Sequence, residues 1–525
     1  MAAIVTDQFR IANANNFVDS ILDNNNSYYV FLGLSNPGTT SSLVGFGRST
    51  TWGNGSNSSP PNPVDNQQYL SHYRNTSLFG KKLNSSNVRR IVRKISWTSN
   101  TKYDIYRHDY SVYNLSPNSQ SARLYDTNYY VVNSEFKVYI CLYNGSHGDI
   151  SGSSELLGKT SQDEPTFTDL EPSAAGISGD EYIWKYLFTI SPSDIVKFDS
   201  TEYIVLPNDW GTSTDFQVQS VRDAGDSNIN NNQIKIVYIE NGGSGVYTAG
   251  TYDIKGDGTG AKVNIEVDTS GSITKTTVVA GGSGYTFGIV DFGHAETDTI
   301  SDPAKLIPII PPSRGHGYDI YNELGADKVL VYSRFDDSTK DFPTDTKFAQ
   351  VGIIKNPEKY SSVGTIFTGN EYSSLGSIKL DNTFSGSPIV GAAITQSTDD
   401  GTARGYIASY DTETRVLKYY QDRSLNFGNT LDQTDRNDVT AKANVVSFAS
   451  TTNTITPISG SVDINFSGIT TTIGSKQVSL EVTFSGGVAN PEINKNTGDI
   501  IYIDNRSLVT RDSRQKEDIK IILEF

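Results

Sequence analysis

One segment comes close to a phosphate-binding loop. Gly152 is followed, six residues later, by Gly158, Lys159 and Thr160. A phosphate loop requires GxxxxGK[ST], because loop length sets which backbone N–H groups face the phosphates. This spacing is one residue too long, and no helical pattern follows before Pro165, so the segment reads as a polar loop. The five histidines, His72, His108, His147, His294 and His316, are scattered and none is followed by Glu, which excludes an HExxH zinc helix. The Gly-x-Ser-x-Gly elbow of serine hydrolases is absent. The single cysteine, Cys141, excludes an internal disulfide or a CxxC redox pair. It lies in the strand-like run Phe136–Tyr143 and reads as a core thiol. Carboxylates are abundant, and a glycosidase needs two of them at a set separation. The acidic pairs Asp336-Asp337 and Asp399-Asp400 offer oxygen ligands for Ca²⁺ but lack the EF-hand spacing, and read as solvated turns.

The remaining cluster is basic: Arg89-Arg90-Ile91-Val92-Arg93-Lys94. Strand alternation puts Arg89, Ile91 and Arg93 on one side and Arg90, Val92 and Lys94 on the other. In an acidic protein this run is a candidate patch for an acidic partner. The alternative is a solvated edge strand guarded by its charges.

The elements that must position these residues follow from composition. Of the 525 residues, 36% are hydrophobic and only 19% charged, and the formal net charge is −16. Such a chain is polar without being charge-disordered. Its acidity argues against non-specific binding to nucleic acid or anionic membranes, and no apolar run is long enough to span a bilayer. The first ten residues lack a basic-then-apolar leader, which predicts synthesis in a reducing cytoplasm. Thirty Tyr and 22 Phe suit half-wet strands and interfaces.

Period-two runs dominate. Tyr182, Trp184, Tyr186, Phe188 and Ile190 share one strand face, and so do Ile519, Ile521, Leu523 and Phe525. Clusters of Gly, Asn, Asp and Ser separate the runs as turns. One hairpin is expected, with 405–410 against 415–420 across Asp411–Thr414. The one clear helix spans 7–22, with Thr6 or Asp7 as N-cap and Phe9, Phe17, Val18, Ile21 and Leu22 on a shared face. An internal repeat places Gly242-Gly243-Ser244-Gly245 against Gly281-Gly282-Ser283-Gly284. Its glycines read as turn residues with positive φ rather than as a phosphate cradle. The repeat marks a β module at 231–292, and a Thr-, Ser- and Gly-rich stretch marks an all-β domain at 361–490.

Taken in order, several segments resemble one family. They are Ile4–Arg10 with Asn16-Phe17 and Ser20-Ile21; Gly45–Trp52; Pro60–Asp65; Asp180–Phe188; Glu202–Pro207; Gly352–Pro357; and Gly498–Arg506 followed by Ile519–Phe525. Together they look like the baseplate wedge subunit of T4-like contractile-tailed bacteriophages, the wedge protein usually numbered eight. The likeness is concentrated at 4–65, 88–106, 180–207, 351–357 and 498–525.

The resemblance implies a mainly β, multi-domain, β-sandwich-like body with few short helices. That body would comprise 1–230, 293–360 and 491–525, with 231–292 and 361–490 as two inserted β modules in surface loops. It further implies a structural virion protein of the tail baseplate, assembled in the host cytoplasm. Such a protein would be a homodimer that links other wedge proteins, with no cofactor, metal, catalysis, nucleic acid or membrane insertion. The alternative is a tail-associated glycan-binding or glycan-cleaving protein, with the 361–490 insert touching a host-surface glycan. Candidate interface residues are Arg48 and Trp52 in the Gly/Ser/Pro-rich loop, Arg89, Arg90, Arg93 and Lys94 in the basic run, and Asn505 and Arg506 before the last strand.

Overall fold

Tyr-, Val- and Ile-rich runs cut by Gly, Asn and Asp build antiparallel sheets throughout the chain. The computed structural model describes residues 4–34, 62–146, 157–226, 231–244, 247–293, 302–336, 347–381, 392–421, 446–449, 454–458, 460–473, 476–510 and 515–525. Strands make up 44% and helices 13%, and five α-helices occur among the described residues. The chain divides into two compact units. The first holds 1–18, 89–330 and 521–525; the second holds 19–88 and 331–520.

In the first unit, Tyr182–Thr189 pairs with Lys137–Asn144 on one side and with Ser173–Ala174 on the other. The expected face of Tyr182, Trp184 and Tyr186 is buried, and so are Lys185 and Leu187 on the opposite face. The strand is therefore covered on both sides, not half-wet as alternation suggested. Trp184 stacks on Tyr182 at 5.3 Å, and Tyr103 meets both rings edge-on. The Tyr103 N–H donates to the Tyr182 hydroxyl (3.0 Å), which supplies the polar partner a buried tyrosine needs.

A second sheet orders its strands Lys516–Glu524, Lys328–Asp336, Val88–Arg93 and Tyr203–Leu206. Val88–Arg93 is thus an interior strand, which corrects the edge-strand reading. Interior position explains why Val88, Arg90, Ile91 and Val92 are all buried.

The repeat region forms a four-stranded sheet ordered Ile273–Ser283, Thr259–Val267, Gly250–Gly256 and Gly288–Asp291. Its core joins Ile254, Val263, Ile265 and Tyr285 to Leu306 and Ile310, so the packed module runs past residue 292. Gly243 and Gly282, equivalent in the repeat, have the expected positive φ, +68° and +64°, but Gly282 lies within the strand Ile273–Ser283 and not in a turn.

In the second unit a five-stranded sheet is ordered Glu371–Ser373, Ser77–Lys82, Tyr28–Gly33, Lys347–Lys355 and Asp499–Thr510. Glu371–Ser373 lies inside the range assigned to the 361–490 module, yet it pairs in this sheet with Ser77–Lys82. A separate seven-stranded sheet spans Gly376 to Ser485 and Ala489. It contains the expected hairpin, with Tyr406 opposite Tyr420 and Asp411 opposite Val416. Asp411 Oδ1 accepts the N–H groups of Glu413 and Thr414, which closes the turn.

The helix Asp7–Leu22 forms where expected, and Thr6 Oγ1 accepts from Phe9 N. Its buried stripe differs: Ile11, Ala14, Val18 and Ile21 are buried, while Phe9 and Leu22 are exposed.

Candidate functional site

A pocket of about 430 Å³ lies in the first unit. Its walls come from segments far apart in sequence: Asp7 of the first helix, Arg93 and Lys94 after Val92, Arg123 and Tyr125, Glu202 and Tyr203, and Asp327 and Lys328. Local rules place each wall. Arg93 stands opposite Tyr203 in the strand pair, and Lys94 N donates to Glu202 O at 2.7 Å. Asp319 caps the helix Ile320–Leu324, and Gly325 ends it in the left-handed region at φ +71°. A Cβ at Gly325 would lie 2.5 Å from the Tyr125 ring, so glycine lets the chain turn tightly and deliver Asp327 and Lys328.

The pocket is dense with charges of both signs. Arg123 pairs with Asp7 and, at 3.6 Å, with Asp126. Lys94 pairs with Asp199 at 2.9 Å. Lys328 pairs with Asp327 at 2.9 Å and Glu524 at 3.2 Å. Arg93 instead donates through Nη2 to the carbonyl oxygens of Thr127 (2.8 Å) and Asp126 (3.3 Å). The Tyr130 hydroxyl donates to Arg93 O at 2.6 Å, and burial pushes that phenol's pKa up.

The structure disperses the other expected interface residues. Arg89 pairs with Asp194 at 2.8 Å and lies over the Phe198 ring. Arg90 is buried: Nε donates to Asn15 at 2.5 Å, and the guanidinium stacks on Tyr321. The basic run is thus no open patch, because all four of its cations have partners inside the chain, and only Arg93 is held by carbonyl oxygens alone. Asn505 is buried in the long strand Asp499–Thr510 and accepts from Gln350 Nε2 at 2.8 Å. Arg506 pairs with Asp504 at 2.7 Å. The strand continues through both residues to Thr510, before the last strand Lys516–Glu524. Arg48 and Trp52 lie outside the described residues.

The other chemical candidates are also accounted for. Cys141 is buried, and burial pushes its thiol pKa up, away from nucleophilic character. Lys159, of the loop resembling a phosphate site, pairs with Glu181 at 2.5 Å. Among the described residues no cluster of three His, Cys, Asp or Glu side chains is placed to hold a metal. His316 and Glu323 form a buried pair at 2.6 Å, and Glu323 also accepts from Gly317 N at 2.7 Å. This pair ties the loop to the helix that follows and was invisible to motif search, since neither residue belongs to a known spacing.

A second concavity, a groove of about 870 Å³, separates Tyr143 and Ile183 from the strand Ile273–Ser283. Lys235 reaches Glu171 (2.7 Å) and Gln233 (2.7 Å) in its wall, and Thr276 donates to Val237 O. The charged pocket had partial sequence signals, because Arg93 and Lys94 belong to the basic run and Glu202 to a resembling segment. Arg123, Asp327 and Lys328 had none, because what brings them to the pocket is contact with distant segments, as in Arg123 with Asp7 and Lys328 with Glu524. Comparison with protein-family models and with curated proteins finds no match to this chain.

Proposed function

We propose that this protein is a structural subunit of the baseplate wedge of a contractile phage tail, working by assembly and load transfer rather than catalysis. The observation that carries the reading is the ordered resemblance running from Ile4 to Phe525. Four resembling segments meet around one pocket, through Asp7, Arg93, Glu202 and the terminal strand that holds Lys328 by Glu524. Segments that carry a family likeness and also converge in space fit a shared attachment point. On this reading the chain dimerises and contacts other wedge proteins in the virion, after assembly in the host cytoplasm.

Mass-spectrometric identification of the chain in purified tails, at a fixed ratio to other tail proteins, is the expected result. Its absence from intact tails would refute the proposal. Light scattering on the isolated protein should give a dimer mass. The second reading is a glycan-binding tail protein, favoured by the hydroxyl- and amide-lined groove beside Tyr143. Incubation with host-surface polysaccharide separates the two: retention or release of oligosaccharide supports the second and counts against the first.

A further inference from the structure

We infer that the charged pocket of the first unit receives an extended segment of another protein, one that presents an acidic side chain to Arg93 and a basic side chain to Glu202. The argument starts from what each charge in the pocket already does. Arg123, Lys94 and Lys328 all have carboxylate partners, and Asp7, Asp126 and Asp327 all have cations. Arg93 and Glu202 are the exceptions. Among the described residues Arg93 has no carboxylate partner, and the Glu202 carboxylate has no cation. Both side chains are exposed.

Arg93 is also held in place. Two carbonyl oxygens anchor its Nη2, which leaves Nε and Nη1 without partners among the described residues. A guanidinium held through Nη2 keeps its Nε–H and Nη1–H each aimed in a fixed direction, ready to donate singly to a carboxylate, and such charge-assisted bonds are the stronger kind. Glu202 precedes Tyr203, the cross-strand partner of Arg93, and the two unmatched charges line the same pocket. A phosphate or polyanion would meet as many carboxylates (Asp7, Asp126, Glu202, Asp327) as cations and gain no net attraction. A ligand carrying both signs is complementary.

The volume, about 430 Å³, is in the range of ligand pockets. A protein segment fits better than a free amino acid because apolar side chains flank the site in sequence. Ile4 and Val5 come just before Asp7 and Phe9 just after, and all three are more than half exposed. A segment with an apolar residue beside its acid–base pair would cover them, in the manner of an interface whose charges surround an apolar contact. This inference does not depend on the baseplate reading.

The test uses the full chain as bait for a displayed library of random twelve-residue peptides. Wild type is compared with Arg93→Leu, Arg93→Lys and Glu202→Gln. Peptides selected on wild type should carry a carboxylate and a cation at neighbouring positions, with an apolar residue alongside. The best peptide should bind about tenfold more weakly to Arg93→Leu, a typical loss for one charge-assisted contact. Arg93→Lys should fall between the two, because it keeps the charge but loses the anchored, planar donor group. Glu202→Gln should abolish the preference for the basic residue only. Glu202 is exposed, so that variant decides the matter even if Arg93→Leu fails to fold. Peptides that bind all four proteins equally, or selection without acidic residues, would overturn the inference. So would a dimer in light scattering that Glu202→Gln splits, since a second copy would then be the occupant. Absence of the chain from tails leaves this selection untouched, and the converse holds, so the two failures are distinguishable.

Discussion

Two sheets, one in each unit, use the same aromatic residues in different ways. In the first unit, rings face rings. Tyr139 stands opposite Tyr186 at 5.7 Å, and Trp184 stacks on Tyr182. In the five-stranded sheet of the second unit, rings face glycines, although Tyr406 faces Tyr420 in its seven-stranded sheet. One row across the five-stranded sheet reads Tyr372, Gly80, Phe31, Gly352, Ile503. A Cβ on Gly80 would lie 2.2 Å from the Tyr372 ring, and one on Gly352 would lie 2.3 Å from Phe31. The seven-stranded sheet repeats the device where Gly376 faces Tyr419. Large beside small fills a sheet face as completely as large beside large, but the two arrangements fail in opposite directions. A ring–ring sheet is damaged by taking atoms away, and a ring–glycine sheet by adding them.

The largest expected effect is therefore Trp184→Ala. Losing a buried indole costs about 3–5 kcal/mol, and hydrogen exchange should show lost protection in 89–330 while the Tyr28–Gly33 sheet keeps its own. Equal loss in both units would break the comparison.

Next in size is Gly352→Ala. The added methyl would meet the Phe31 ring and the Tyr502 carbonyl, and overpacking of this kind costs about 1–3 kcal/mol. Phe31→Leu in the same chain should recover part of that loss, so the two changes should not add in a double-mutant cycle. Additivity would mean that the ring does not occupy the glycine slot.

Among the described residues the first unit buries Lys185, and the second buries Lys379 and Lys418. Lys185 donates to Leu170 O at 2.7 Å, while Lys418 lies 5.3 Å from the Phe79 ring. Burial pushes both pKa values down from 10.5 to about 8. Between pH 8 and 10.5 the unfolded chain binds more protons than the folded one at these sites, so stability rises with pH across that window. Below pH 8 both states are protonated and the cost of burying the charge is constant. At about 1.4 kcal/mol per pKa unit, the rise is on the order of 3 kcal/mol per lysine. Chemical denaturation from pH 7 to 10 should show it, and Lys185→Met and Lys418→Met should each flatten the curve. Lys418→Met should gain more at pH 7, because Lys185→Met strands the Leu170 carbonyl. A curve that falls over this range would contradict the burial of both groups.

The smallest effect should come from Arg506→Ala. Its partner Asp504 is on the same strand and the arginine is largely exposed, so the melting temperature should not change. A clear drop would show that Arg506 supports the second unit's edge strand.

Some of this could be read directly from the chain. The 7–22 helix and the 405–420 hairpin rest on short-range signals, a cap oxygen and an Asp-initiated turn, and both form. The helix face was misread, because Phe9 and Ala14 compete for the core and only the neighbouring packing decides between them. The four other helices among the described residues were missed. They span 5 to 11 residues, too few turns for a periodic pattern, although Ser191-Pro192 and Asp319 with Gly325 are capping signals. Of the candidate site, Arg93 and Lys94 were legible as a charge run. Their different fates were not, since Lys94 meets Asp199 and Arg93 meets only carbonyl oxygens.

By itself, then, the amino-acid sequence determined a mainly β chain with turn-rich boundaries, a lone core thiol and no familiar catalytic spacing. These properties are local, because each depends on residues a few positions apart. Tertiary structure alone decided which strands are interior, which rings face glycines and which charges in the 88–94 run stay unmatched. Those outcomes depend on register between segments hundreds of residues apart, such as Phe31 with Gly352. Cross-strand register shifts a side chain to another neighbour with every residue, so no local pattern encodes it.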